Sequence, residues 1–154
     1  MKKVCTLCLV YKHPQILLGL KKRGLGAGRW NGFGGKVKEG ETIESAAQRE
    51  FKEETGVVAG KMEEVGILDF EIKNPELFLE VHVFRVDDFK GEPVETEEMK
   101  PQWFDIDEVP FDTMWLDDKF WFPLFFEGKK FKGQFLFEDD TKLLDSHLVE
   151  VEKL

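Results

Sequence analysis

The stretch Gly35 to Val57, "GKVKEGETIESAAQREFKEETGV", crowds the glutamates Glu50, Glu53 and Glu54 onto a segment that reads as a helix from Thr42 to Thr55. At about 100° per residue, Ile43, Ala46, Ala47 and Phe51 share one side of that helix. Glu44, Ser45, Gln48, Arg49 and Lys52 share the other. Glu50 and Glu54 then fall in the middle of the apolar side, with Glu53 at its margin. Two like charges about 4 Å apart repel by roughly 4 kcal/mol at an effective dielectric near 20, so carboxylates converging on an inward face need a cation or must bind protons. Hard oxygen donors of this kind suit magnesium, with manganese as an alternative. A solvated acidic helix end is the simple alternative, and the placement of the carboxylates on the buried face weighs against it.

Just before this helix, half of the 14 glycines lie between Gly24 and Gly40, in "GLGAGRWNGFGGKVKEG". Such a density lets backbone approach a ligand closely, and a loop this long inside a small domain is more often functional than idle. Gly24, Gly26 and Gly28 do not make a dinucleotide fingerprint, because no helix follows at the required place. No Gly-Lys-Ser/Thr occurs either, which excludes a P-loop.

The remainder of the chain sets the frame. Its 154 residues, 42% of them hydrophobic, suffice for one domain with a real core. A formal charge of −9 argues against binding a nucleic acid polymer, where phosphate neutralisation supplies much of the affinity. An anionic substrate would need local cations or a metal. Cys5 and Cys8 read as buried, reduced thiols rather than zinc ligands, since no second Cys or His pair lies near. Val4 to Tyr11 is too short to span a bilayer and lacks a cleavage site, so a cytoplasmic protein is expected, with mitochondrial or nuclear pools open to it in a eukaryote.

Strands are predicted at Val4–Val10 and Ile16–Leu20 around a turn at Pro14, and at Val65–Ile72 and Phe78–Val86. Short ones are expected at Trp103–Asp105 and Phe131–Phe137, where Phe131, Gly133, Phe135 and Phe137 alternate with other residues. A second helix is predicted over roughly Asp117–Phe126, interrupted or begun near Pro123. Many strands and few helices predict a mixed α/β sandwich.

The stretch Gly35 to Val57 resembles the signature of the Nudix family. In that signature Gly, five residues, Glu and seven residues are followed by Arg-Glu-hydrophobic-any-Glu-Glu-any-Gly-hydrophobic, and Gly35, Glu41, Arg49, Glu50, Phe51, Glu53, Glu54, Gly56 and Val57 all match. The resemblance implies an α/β fold, an αβα sandwich with a mixed central sheet, over a single domain of residues 1–154. It also implies a loop-helix-loop that holds a divalent metal against a diphosphate linkage. Glu50, Glu53 and Glu54 would then be metal-directed, with the Gly34 carbonyl a further ligand and Glu98 beside the metal. By the same comparison Glu41 and Arg49 form a supporting ion pair.

The stretches "KKRGLGAGRWNGFGGKV", "MKPQWFDIDEVPF", "MWLDDKFWFP" and "GQFLF" resemble the branch of the family that hydrolyses oxidised purine nucleoside triphosphates. A purine pocket needs apolar faces for the ring and paired polar groups for its edge. Trp115 and Phe70 are suited to stack on a base, Asn31 offers a donor and an acceptor, and Asp117 with Asp118 can accept from ring and amino hydrogens. The resemblance makes these the base-reading residues, with Thr6, Leu7 and Lys21 nearby. Adjacent aspartates in an aromatic setting should push one pKa upward, so that one carries a proton to a purine carbonyl and the pocket accepts oxidised guanine and adenine alike. The alternative for Asp117 is a helix cap. Lys22 and Arg23 read equally as triphosphate cations or as a solvated turn.

The implied reaction is hydrolysis of 8-oxo-dGTP or 2-oxo-dATP between the α and β phosphates, by a monomer, without a covalent intermediate. Glu53, Glu54 or Glu98 would be the general base. Leu25 and Ile72 stand where that branch carries aromatic residues, which leaves the preferred modified purine open. Rival readings are a hydrolase of other nucleoside diphosphate compounds and a non-catalytic nucleotide-binding module. All box glutamates are present, against the second. The first would leave Asn31, Trp115 and the aspartate pair without a role.

Overall fold

The computed structural model describes residues 2–154. Alternation of apolar and polar side chains produces long strands: β1 (Lys2–Lys12), β2 (Gln15–Lys21), the two-residue β3 (Trp30–Asn31) and, after the first helix α1 (Ile43–Thr55), the short β4 (Val58–Ala59). They continue as β5 (Met62–Ile72), β6 (Leu77–Val86), the short β7 (Phe89–Lys90) and β8 (Met99–Asp105). The second helix α2 (Asp118–Phe126) leads into β9 (Lys130–Asp139) and β10 (Lys142–Val151).

The main sheet runs β10-β9-β5-β6-β1-β2-β3, with β8 also paired to β2. It is mixed, because β1 lies parallel to β6 and β5 parallel to β9, while the other pairs are antiparallel. One face packs Leu9, Leu68 and Val83 with Trp121, Phe122 and Phe125 of α2. The other packs Cys8, Val10 and Phe84 with Ala47 and Phe51 of α1. A helix on each face makes the expected αβα sandwich. Each large side chain fully buried there contributes about 1.5–3 kcal/mol, so the aromatic layer under α2 is a principal source of stability.

Local chemistry explains the limits of α1. The Thr42 hydroxyl accepts from Ser45 N–H at 3.1 Å, and Gly56, at φ 77°, takes the left-handed conformation that ends the helix. The second helix departs from expectation, since it starts at Asp118 and runs through Pro123 rather than breaking there. Pro123, the sixth residue of this short helix, cannot donate to the Lys119 carbonyl, so one interior helical hydrogen bond is missing. Burial of Trp121, Phe122 and Phe125 outweighs that loss.

Several strands are longer than predicted, and β3, β4, β7 and β10 were not predicted at all. Strand β10 lies at the sheet edge, paired only to β9 and exposed along most of its length. An edge strand of this kind carries too little apolar alternation to announce itself. Both cysteines are free, Cys8 buried and Cys5 half-buried. No helix among the described residues is long and apolar enough to cross a membrane.

Candidate active site

Helix α1 delivers its carboxylates to the backbone of the glycine loop. Glu54 is buried, and its Oε1 accepts the Gly34 N–H at 2.7 Å. Burial pushes its carboxyl up to about 8; the Gly34 hydrogen bond opposes this, and the nearby charges of Glu50 and Glu98 add to it. Glu50, one turn earlier, has a side chain only 16% exposed. A Cβ on Gly35 would stand 2.6 Å from its carboxyl carbon, so the missing side chain makes room for that carboxylate.

Arg49 is the organiser of this region and does not sit on the solvent side as the helical wheel predicted. Its guanidinium donates to Glu41 at 2.7 and 2.9 Å, to Glu50 at 2.8 Å, to Glu53 at 3.3 Å and to the Lys36 carbonyl at 3.2 Å. The expected Glu41–Arg49 pair is therefore present. Those hydrogen bonds hold the Glu41 carboxyl down at about 2. A long, forked side chain can turn back across its own helix to gather carboxylates one and four residues on, which a projection by residue angle does not register.

The expected convergence of the three glutamates on one point is corrected by the same residue. Glu53 is 52% exposed and leans toward Arg49 rather than inward. Glu98 is held by Arg23, whose Nε donates to it at 3.0 Å, and this hydrogen bond lowers its carboxyl below the ordinary range. Among the described residues, no three His, Cys, Asp or Glu side chains come together as a metal cage. Glu50 and Glu54 nevertheless fit a divalent cation, because their hard oxygens flank the Gly34–Gly35 backbone and a cation there would offset the burial of the Glu54 carboxylate.

The predicted base-reading residues Thr6, Leu7, Lys21, Asn31, Phe70, Trp115, Asp117 and Asp118 all line one cleft of about 190 Å³, and Gly34 and Glu54 line it as well. Glu50, Glu53 and Glu98 lie outside it. Asp117 and Asp118 are both buried. Asp117 does not cap α2 through its side chain; its Oδ2 accepts the Trp121 Nε1–H at 2.8 Å. Burial pushes Asp117 up to about 6, and burial together with the Asp117 charge pushes Asp118 well above the carboxylate range. Asp118 Oδ2 is buried without a hydrogen-bond partner. A protonated carboxyl poised for a ligand fits this arrangement.

Asn31 Oδ1 accepts the neighbouring Gly32 N–H at 2.8 Å, which leaves its amide donors for the cleft. The basic run divides, since Lys22 pairs with Glu95 and Arg23 with Glu98, while Lys21 lines the cleft. Leu25 and Ile72 are wall residues, as their positions suggested. Cys5, Leu79, Val81, Met99 and Phe137 also line the cleft and were not anticipated. The only signal for them was strand alternation, which marks a core as readily as a pocket.

The architecture and the glutamate-bearing loop-helix-loop define a class. A NUDIX domain model matches residues 1–125, and the chain belongs to that family. It is 50% identical to the oxidized purine nucleoside triphosphate hydrolase of Danio rerio over 99% of this chain and 97% of that protein. The Mus musculus protein of the same name is 51% identical over 97% of this chain and 96% of its own length. Among solved structures, a MutT protein from Bacillus halodurans superposes with a TM-score of 0.83 at 30% identity, covering 95% of this chain and 97% of that one.

Proposed function

We propose that residues 1–154 form one hydrolase domain that cleaves oxidised purine nucleoside triphosphates, such as 8-oxo-dGTP and 2-oxo-dATP, to the monophosphate and pyrophosphate. It would act as a monomer on the cytoplasmic nucleotide pool. The observation that carries the reading is the buried Asp117–Asp118 pair, with one carboxyl oxygen unpartnered, opening into the same cleft as Glu54. The names and near full-length identity of the two vertebrate relatives support it.

In this reading Trp115 and Phe70 flank the base and Asn31 donates to its edge. Asp118 supplies a proton to a purine carbonyl, while Asp117 accepts from a ring or amino hydrogen. Movement of that one proton within the pair lets the pocket take either oxidised purine. Lys21 faces the phosphates. Glu50 and Glu54 would hold magnesium beside the Gly34–Gly35 backbone, with Glu53 and Glu98 as further carboxylates within the region. A divalent ion there supplies neutralisation of phosphate charge and a bound water of lowered pKa. Glu54, the box carboxylate that lines the cleft, is the one we assign to proton removal, through the oxygen not committed to the metal, in preference to the exposed Glu53 and the Arg23-bound Glu98.

Pyrophosphate release from a panel of normal and oxidised nucleoside triphosphates, with magnesium and after chelation, tests the proposal. Faster release from the oxidised purines, abolished by chelator, is expected. Equal rates across the panel, or turnover of ADP-ribose in place of triphosphates, would refute it.

A further inference from the structure

Trp115 is held by a side chain of the glycine loop that has had no role so far. The guanidinium carbon of Arg29 lies 4.4 Å from the centroid of the Trp115 ring. Nη2 donates to the Asp140 carbonyl at 2.7 Å and lies 3.6 Å from Asp140 Oδ2, in the turn between β9 and β10. Nη1 is buried with no partner. Arg29 does not line the cleft and Trp115 does, so the cation can act on the cavity through the indole.

The glycine loop closes on the same ring. Gly26 sits at φ 84°, and a Cβ there would come 2.9 Å from Trp115 Nε1. Phe137 meets the indole in a T-shaped contact at 6.0 Å. Two distant segments, the glycine loop and the β9–β10 hairpin, thus converge on one aromatic plane. A buried N–H left without an acceptor is unfavourable, and its retention here marks a guanidinium placed for the ring below it as well as for its one bond to the turn.

Resting on the reading of this cleft as an oxidised-purine pocket, we infer that Arg29 is a positioning residue that sets substrate preference through Trp115. Its charge attracts the π density of the indole and leaves the cleft face of the ring electron-poor. An electron-poor face stacks best on an electron-rich base. Oxygen added at C8 donates electron density to a purine, so the oxidised base gains more from this arrangement than the unmodified one. If Arg29 merely tied the glycine loop to the β9–β10 turn, its loss would weaken all nucleotides alike.

Steady-state hydrolysis of 8-oxo-dGTP and dGTP by the parent, Arg29→Met and Arg29→Lys distinguishes these cases. For Arg29→Met the KM for 8-oxo-dGTP is expected to rise about tenfold, with kcat within about twofold and the KM for dGTP rising less than about threefold. Arg29→Lys, which keeps a cation within reach of the ring, should hold the preference within about threefold of the parent. Should Arg29→Met not fold by circular dichroism, Arg29→Gln replaces it with the same expectation. A preference that survives removal of the charge, a parallel loss for both nucleotides, or a lysine variant as weak as the methionine one would overturn the inference while leaving the proposed function intact. A parent with no preference for 8-oxo-dGTP overturns that function, and the inference with it.

Discussion

A carboxylic acid withdrawn from water among other acids is unstable until something shares its charge, and Glu54 is in that position. Its folded pKa, pushed up to about 8 by burial, lies above the unfolded value, so its contribution to stability is full at low pH and is lost as pH rises through 8. Glu54→Gln mimics the protonated form. We expect that variant to fold with a midpoint of thermal unfolding at or above the parent's at pH 7 and to lose roughly 100-fold or more in kcat. Near-parental turnover with magnesium present would remove Glu54 from the chemistry.

Asp117 obeys the same sign. Its folded value of about 6 exceeds the ordinary aspartate value of 3.8, so it stabilises the fold below pH 4 and ceases to as pH climbs through 6. Asn at this position can still accept the Trp121 N–H and never ionises. Relative to the parent, Asp117→Asn should therefore gain about 1–3 kcal/mol in urea unfolding between pH 4 and pH 7. An unchanged difference across that range would show that the pair does not titrate as its burial implies. Affinity for 8-oxo-dGTP should fall in the same variant, which separates its role in the cleft from its effect on the fold.

At the scale of elements, the glycine loop and α1 meet so closely that neighbouring glycines have different duties. A Cβ on Gly34 would land on the Thr6 backbone carbonyl, in a strand that cannot yield. The atoms nearest a Cβ on Gly35 are those of the Glu50 carboxylate, which can swing away. Gly34→Ala should accordingly destabilise by about 2–4 kcal/mol. Gly35→Ala should fold with a smaller loss but impair hydrolysis through the displaced glutamate. Unfolding curves and kcat for the two variants check this, and the reverse ranking would contradict the geometry.

Much of this element was legible beforehand. The Nudix signature and the period of α1 placed Glu50 and Glu54 correctly, because helical facing depends only on residue spacing. The signature also gave the Glu41–Arg49 pair, but the helical wheel misplaced Arg49, because a flexible side chain chooses its direction from partners such as Glu41 and the Lys36 carbonyl. Those partners come from a loop, and no helical wheel contains it.

The whole molecule depends on strands beyond the matched family region, which ends at residue 125. Strand β9 lies between β5 and β10 and buries Phe131, Phe135 and Phe137, the last of which also lines the cleft. A chain ending at Gly128 exposes the open edge of β5 and the aromatic layer under α2, and it should be unfolded by circular dichroism and near-ultraviolet spectra. A cooperative transition in that truncation would show that the first eight strands and two helices suffice.

From the sequence alone came the class of fold, the facing of Glu50 and Glu54 on α1, and the list of residues that line the cleft from Thr6 to Asp118. Spacing within one helix and a motif of close neighbours are local properties, and local properties survive without a three-dimensional context. Only the folded chain decided that segments from Thr6 to Asp118 share one cleft, that Asp117 and Asp118 are buried with an unpartnered oxygen, and that Arg49 and Arg29 stand where they do. These depend on long-range packing across a mixed sheet, where burial, dielectric and partner choice are set by residues far away along the chain.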